Sequence, residues 1–189
     1  MTTRTKIALV SDSHGNHDYV RNFIEAINDK SVDYVYHLGD YYDDAHHVLD
    51  AGYKVIRVPG TWTRHYDDFR IDKRRFEIVD QWKLFLTHTP TMDYHDKDGD
   101  IDPTEVISDQ QCHIFLHGHT HIPSATLENG VLVLNPGHIK SSQDRGYPAT
   151  YGILTLMPDE ALVEIYSLKN DEIHIQESFK KLEFAFNLE

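Results

Sequence analysis

Ile7-Ala8-Leu9-Val10-Ser11-Asp12-Ser13-His14-Gly15-Asn16 is the stretch that decides the fold class. Its short apolar run with β-branched members stops at turn-forming polar residues, which reads as a buried strand. Directly after it Val20, Phe23, Ile24 and Ile27 repeat at i, i+3, i+4 and i+7, one face of a helix. Val32 to Leu38 forms the next strand and stops at Gly39-Asp40. Ala45, Val48 and Leu49 mark a short helix halted near Gly52. Tyr53 to Val58 is a third strand, broken by Pro59-Gly60. Strand, helix, strand, helix, strand implies a parallel sheet covered by helices.

Downstream the rhythm changes. Phe76 to Val79 and Lys83 to Thr87 read as adjacent strands, followed by a polar loop and a short helix over Pro103 to Asp109, with proline in its first turn. Cys112 to Leu116 is a strand. Ala125 to Glu128 and Val131 to Asn135 form a hairpin across Asn129-Gly130. Tyr151 to Met157 and Ala161 to Leu168 make another pair, and Ile173 to Glu177 adds an edge; nothing is assigned beyond Glu177. The expectation is a single α/β domain over residues 1–189 with two packed sheets.

Composition narrows the function. The chain has 189 residues, 40% of them apolar and 26% charged, an ordinary globular balance. Its 18 Lys and Arg stand against 31 Asp and Glu, a net charge of −13. Such a surface repels DNA and RNA, so no long nucleic acid is expected as partner. One cysteine, Cys112, allows no intramolecular disulfide and points to a reducing compartment. The N-terminal apolar run is too short for a signal segment, and no stretch reaches the roughly 20 apolar residues of a membrane span. A cytoplasmic protein without membrane contact is expected.

Histidine is the anomaly, at 14 residues. Several fall where strands end: Asp12-x-His14, Gly39-Asp40, Thr87-His88 and Gly118-His119-Thr120-His121. In open α/β sheets ligands bind beyond the carboxyl ends of strands, so four strands deliver Asp and His to one edge. Residues i and i+2 of an extended segment point the same way, so Asp12 with His14, and His119 with His121, could each converge on one ion. Carboxylate and imidazole without thiolate suit Zn, Mn or Fe. Asp40 stands alone at its strand end, and its two oxygens could bridge two ions. Any one of these features by itself is more often a strand cap or a solvated side chain; together they point to metal.

These motifs, with Gly60 near the third strand end and the Asn135-Pro136-Gly137 turn, resemble the calcineurin-like metallophosphoesterase superfamily, in its small bacterial and archaeal phosphodiesterase branch. The resemblance runs over roughly residues 7–168. It implies a four-layer αββα sandwich with two mixed sheets and two divalent metal ions (Mn, Zn, Fe or Ni). Asp12, His14 and His121 would take the first ion, His88 and His119 the second, and Asp40 would bridge them. A hydroxide shared by the ions would attack a small phosphodiester or phosphomonoester, with Asp40 and His14 counted in the catalytic set.

Two departures weaken that implication. Thr61 stands where the family places a metal-binding asparagine. Trp62 follows, where many members carry a histidine that serves as general acid; an indole cannot serve so, but can stack on a ring of the substrate or cover the pocket. His65, three residues on, is the candidate replacement acid. Pro90 in His88-Thr89-Pro90 removes a further imidazole. They motivate the alternatives of a single-metal hydrolase or of a binding protein that kept the fold and lost catalysis. Arg64, ahead of Arg57 and Lys140, is the expected phosphate-binding cation, with Thr61, Trp62 and His138 as further substrate contacts. His138 also reads as a surface residue, and His117 as a support for the metal ligands.

Two further segments tempt. Asp96 to Asp102 resembles the start of a calcium loop but has Ile101 and Ile107 where glycine and glutamate are required, so a solvated acidic loop, or a lid carrying Thr91, Asp93, Tyr94 and His95, is the reading. Asp43 or Asp44 is expected to cap the following helix, Tyr41 to line the pocket, and His46 and His47 to lie on the surface.

Overall fold

The computed structural model describes residues 4–182. The N-terminal Met1-Thr2-Thr3 of the leader reading lies outside them. Elements run β1 (Thr5–Val10), α1 (His17–Ile27), β2 (Tyr34–His37), α2 (Ala45–Asp50), β3 (Val55–Arg57), β4 (Arg74–Val79), β5 (Trp82–Thr87), α3 (Pro103–Ser108), β6 (Ile114–Leu116), β7 (Ser124–Glu128), β8 (Val131–Asn135), β9 (Gln143–Asp144), β10 (Tyr147–Pro148), β11 (Thr150–Leu156), β12 (Glu160–Ser167) and β13 (Ile173–Lys180). The Asn129-Gly130 turn has positive φ at both residues, as its hairpin requires. The β9–β10 hairpin has no counterpart in the sequence reading, and β13 runs three residues past Glu177.

One sheet has the order β13-β12-β11-β1-β2-β3 and the other β4-β5-β6-β8-β7. β1, β2 and β3 are parallel, as are β5, β6 and β8, while the remaining strands pair antiparallel. Period-two alternation builds the layers. Ile7, Leu9, Tyr36 and Leu38 face Leu84, Leu86, Ile114, Leu116, Leu132 and Leu134 between the sheets. Ala8, Val10 and Val35 turn outward onto Val20, Phe23 and Ile27 of α1. Phe85 and Phe115 turn outward toward Val106 of α3. The result is the four-layer αββα sandwich. Cys112 is fully buried in the α3 layer, where burial pushes its thiol up to about 12.

Both parallel cores end their strands toward the same edge. β1 leads into Asp12, β2 into Asp40, β5 into His88 and β6 into His119 and His121.

Candidate metal centre

Two groups of ligand atoms assemble at that edge: Asp12, His14 and His121, and Asp12, Asp40 and His88. In the first, the Nε2 atoms of His14 and His121 face one another at 3.1 Å, and Asp12 Oδ1 lies 3.1 Å from His121 Nε2. In the second, His88 Nε2 lies 3.2 Å from Asp40 Oδ1 and 4.0 Å from Asp12 Oδ1. Asp40 turns its other oxygen, Oδ2, to His14 Nε2 at 3.5 Å, so one carboxylate spans both groups. Asp12 belongs to both as well, through a single oxygen.

The remaining hydrogen bonds orient these atoms. Asp12 Oδ2 accepts from Ser11 Oγ at 2.6 Å and from the His119 amide at 2.9 Å, which leaves Oδ1 directed inward. His88 Nδ1 donates to the Leu38 carbonyl at 2.7 Å, which leaves the Nε2 lone pair directed inward. Asp12 Oδ1 and His88 Nε2 are both buried without a hydrogen-bond partner. Unpartnered buried donor atoms of this kind are costly unless a cation sits among them. The donor set, carboxylate oxygens and imidazole nitrogens, fits divalent transition metals. Burial disfavours charge on both residues, yet Asp12 is held well below the usual carboxylate range by His121 and His88. His88 is pulled above the ordinary histidine value by Asp40 and Asp12 against its burial.

Backbone geometry produces the convergence, and it is not the geometry of an extended strand. Asp12, His14, His119 and His121 all have positive φ, between 48° and 65°. Non-glycine residues enter this region at a cost and tend to cluster at functional sites. Asp12 and His14 come together as expected, but through a left-handed turn. His119 and His121 do not share an ion position: His121 joins Asp12 and His14, while the His119 ring packs edge-on against His88 at 5.2 Å between centroids. Two glycines admit the close approach. A Cβ on Gly60 would stand 1.8 Å from Asp40 Oδ1, and one on Gly118 would stand 1.9 Å from Ser11 Oγ.

The centre opens into a cavity of about 330 Å³ lined by His14, Asp40, Tyr41, Trp62, His119, His121, Lys140 and Arg145. A larger cavity, about 550 Å³, lies between α1 and the β12–β13 turn among Tyr19, Glu25, Leu168 and Lys169, with no histidine in its wall. Of the expected substrate contacts only Trp62 and Lys140 line the metal cavity. Arg64 is exposed and does not line it; Arg145, unforeseen, does. Thr61 is half-buried outside the lining. His65 packs at a tilt against Tyr42, 4.8 Å between ring centroids, with its Nε2 3.7 Å from Asp43, away from the cavity wall. His138 is fully buried rather than superficial. Its Nδ1 accepts from the Lys140 amide at 3.3 Å, and its Nε2 lies 3.3 Å from the Tyr147 carbonyl, which commits both nitrogens to backbone. His117 is buried, and its Nδ1 donates to the Gly118 carbonyl at 2.9 Å.

Three polar contacts were not foreseen. His121 Nδ1 donates to Asp144 on the β9–β10 hairpin in a very short contact. Carboxylate support of this sort fixes the tautomer and aim of a metal-binding imidazole. Asp44 makes no cap for α2; it reaches back to accept from Ser13 Oγ at 2.6 Å and the Gly15 amide at 2.9 Å, pinning the turn that carries His14. The acidic loop is exposed at Lys97, Asp98 and Gly99 but tied down at two carboxylates, and none of Thr91, Asp93, Tyr94 or His95 lines the metal cavity. Asp96, with a side chain 1% exposed, accepts from Arg74 Nη2 at 2.6 Å and Tyr66 Oη at 2.9 Å, and Asp100 accepts from Lys73 at 2.6 Å.

An αββα sandwich whose strand ends present two overlapping Asp/His donor groups defines a metallophosphatase-type protein. The model of the calcineurin-like phosphoesterase superfamily domain matches residues 5–159, and the chain belongs to that family. It is 24% identical over 194 residues to phosphodiesterase YfcE of Escherichia coli K12, covering 90% of this chain and 96% of that one. Among solved structures it resembles a conserved, predicted phosphoesterase from Streptococcus pneumoniae TIGR4, with a TM-score of 0.70 at 22% identity over 96% of this chain and all of that one. It equally resembles Vacuolar Protein Sorting 29 from Cryptosporidium parvum, with a TM-score of 0.70 at 19% identity over 94% and 99% of the two chains. No described helix is long and apolar enough to cross a membrane.

Proposed function

We propose that this chain is a metal-dependent phosphoesterase acting on a small phosphodiester or phosphomonoester. The observation that carries the reading is the pair of buried, unpartnered atoms, Asp12 Oδ1 and His88 Nε2, enclosed by the carboxylates and imidazoles of both groups. Divalent ions bound there supply water activation and neutralisation of phosphoryl charge. Asp12, His14 and His121 would hold one ion and Asp12, Asp40 and His88 a second, with Asp40 reaching both and His119 beside His88. The first group is backed by Asp144 and the second lacks the family's asparagine, so the second ion binds more weakly. Lys140 and Arg145 place positive charge on the cavity wall of an otherwise acidic protein and draw an anionic ester to it. His65 lies off the wall and is not placed to protonate the leaving oxygen.

The test pairs metal content of the purified protein with hydrolysis of an aryl phosphodiester and an aryl phosphomonoester in added Mn²⁺. Bound metal, with turnover lost in Asp40→Asn, is the expected outcome. Absence of turnover at every metal concentration would move the assignment to a binding protein on this fold. The likeness to Vacuolar Protein Sorting 29 and the replacement of the family asparagine by Thr61 favour that second reading.

A further inference from the structure

Trp62 and Tyr41 stand at the mouth of the metal cavity in a way that packing does not explain. The chain has two tryptophans. Trp82 is 3% exposed, as a residue with so much apolar area normally is, whereas Trp62 is 74% exposed. Its backbone is nevertheless anchored at the centre, because its own amide donates to Asp40 Oδ1 at 3.3 Å. Tyr41 is held at φ 54°, a conformation that bulky residues avoid. That backbone sets its ring 5.8 Å from the His14 ring and within 3.2 Å of where a Cβ on Gly15 would lie. Both aromatics line the cavity and retain free ring surface, since Tyr41 is itself 42% exposed.

The rest of the wall is cationic. Lys140 follows the turn after β8, and Arg145 sits at the tip of the β9–β10 hairpin, at φ 48°. The cavity therefore combines ion donors at its floor, two cations from one part of the chain, and two open aromatic rings from the ends of β2 and β3. Its volume is at the lower end of the range for small-molecule sites, about 300–1,000 Å³. Flat rings stack on exposed aromatic side chains largely irrespective of ring identity.

From this arrangement we infer that the substrate is a phosphate ester whose alcohol carries a planar aromatic ring of nucleobase type, stacked on Trp62 against Tyr41, with its phosphate held by Arg145 and Lys140 above the donor groups. The inference rests on the phosphoesterase reading for the fate of the ester, but not for its binding.

The experiment compares two substrates that share the ribose 5′-phosphate linkage and differ in the base, adenosine 5′-monophosphate and ribose 5-phosphate, each as the monoester and as its methyl diester. Wild type, Trp62→Leu and Arg145→Gln are measured with Mn²⁺. Wild type is expected to favour the adenosine compound in kcat/KM, and Trp62→Leu to reduce that preference about tenfold. Arg145→Gln should weaken both compounds alike. Binding is read separately from quenching of tryptophan fluorescence, with Trp62→Leu giving the signal of Trp82 alone. Quenching by the adenosine compound and not by the ribose compound, absent in Trp62→Leu, is expected. Equal handling of the pair with no selective quenching overturns the inference and leaves the phosphoesterase reading standing. Selective quenching without turnover of any ester supports the ring site and overturns the phosphoesterase reading.

Discussion

Replacing Asp144 isolates what the β9–β10 hairpin contributes to the metal centre. Its carboxylate, 26% exposed, accepts from His121 Nδ1, while His121 Nε2 faces His14 Nε2 and Asp12 Oδ1, each at 3.1 Å. Asp144→Asn keeps an acceptor and removes the charge. Across one imidazole, a separation of roughly 6 Å, a carboxylate and a dication attract by about 1.4 kcal/mol at the dielectric of water, a factor of about ten. Asp144→Ala also strips the Nδ1–H of its acceptor, worth about a further 1 kcal/mol, for a total loss of roughly fiftyfold. The assay is calorimetric titration of metal-free protein with Mn²⁺, with thermal unfolding of the metal-free variants as the control for folding. Asn is expected to fall between wild type and Ala. If both variants bind Mn²⁺ as wild type does, Asp144 does not aim His121 and the assignment of His121 to the first ion loses its support.

Gly60→Ala should disable the centre sterically, because the new Cβ would meet Asp40 Oδ1 at 1.8 Å and Asp40 Cα at 2.7 Å; at least a tenfold loss of Mn²⁺ affinity is expected, and unchanged affinity would refute the close approach. Thr61→Asn puts an amide between Gly60 and Trp62, the two residues whose backbone meets Asp40, and is expected to tighten the weaker ion in the same titration; an unchanged second affinity would mean that residue 61 does not reach the ions. Asp96→Ala breaks a buried ion pair with Arg74 and should cost about 3 kcal/mol, read as a fall in thermal midpoint of roughly 6–12 °C. Burial opposes ionisation of Asp96, but hydrogen bonds from Arg74, the Asp93 amide and Tyr66 outweigh it and hold its carboxyl below the usual value. Its contribution is therefore complete above the unfolded carboxyl value of about 3.9 and is lost as pH falls through the lower folded value. The gap between wild type and Asp96→Ala should close in acid; a gap that persists there would rule out the ion pair as its source.

What the sequence disclosed and what it withheld divide along contact range. The apolar run of Ile7 to Val10 and the helical spacing of Val20 to Ile27 are local signals, and both elements form where they stand. The donor residues were legible because each lies at the end of an apolar run, where topology alone sends it to the sheet edge. Asp144 gave no such signal: its strand has two residues, and its value lies in a contact with His121, 23 residues away. Arg74 and Asp96 are 22 residues apart, and nothing local distinguishes an acidic loop that faces water from one clasped by a buried guanidinium. His138, expected as a surface residue or a phosphate contact, is buried, and Tyr147 of the β9–β10 hairpin offers the carbonyl for its Nε2, a partner nine residues away that no local pattern marks.

Asp12 and His14 lie together in the structure by a different route from the extended strand that the spacing predicts, and the difference matters chemically. An extended strand would have set the two side chains parallel, about two residues of rise apart, roughly 7 Å. The positive φ at both residues folds the segment into a turn and brings His14 Nε2 to 4.0 Å from Asp12 Oδ1. Strain of this kind persists only where surrounding contacts over-determine it. Here Asp44 supplies those contacts through Ser13 and Gly15, and the Asp12 amide adds its own bond to the Gly39 carbonyl at 2.6 Å. The turn is thus held from the β2 side, by the segment that carries Asp40. In the folded protein the first donor group therefore depends on the parallel pairing of Ile7 to Val10 with Tyr34 to His37.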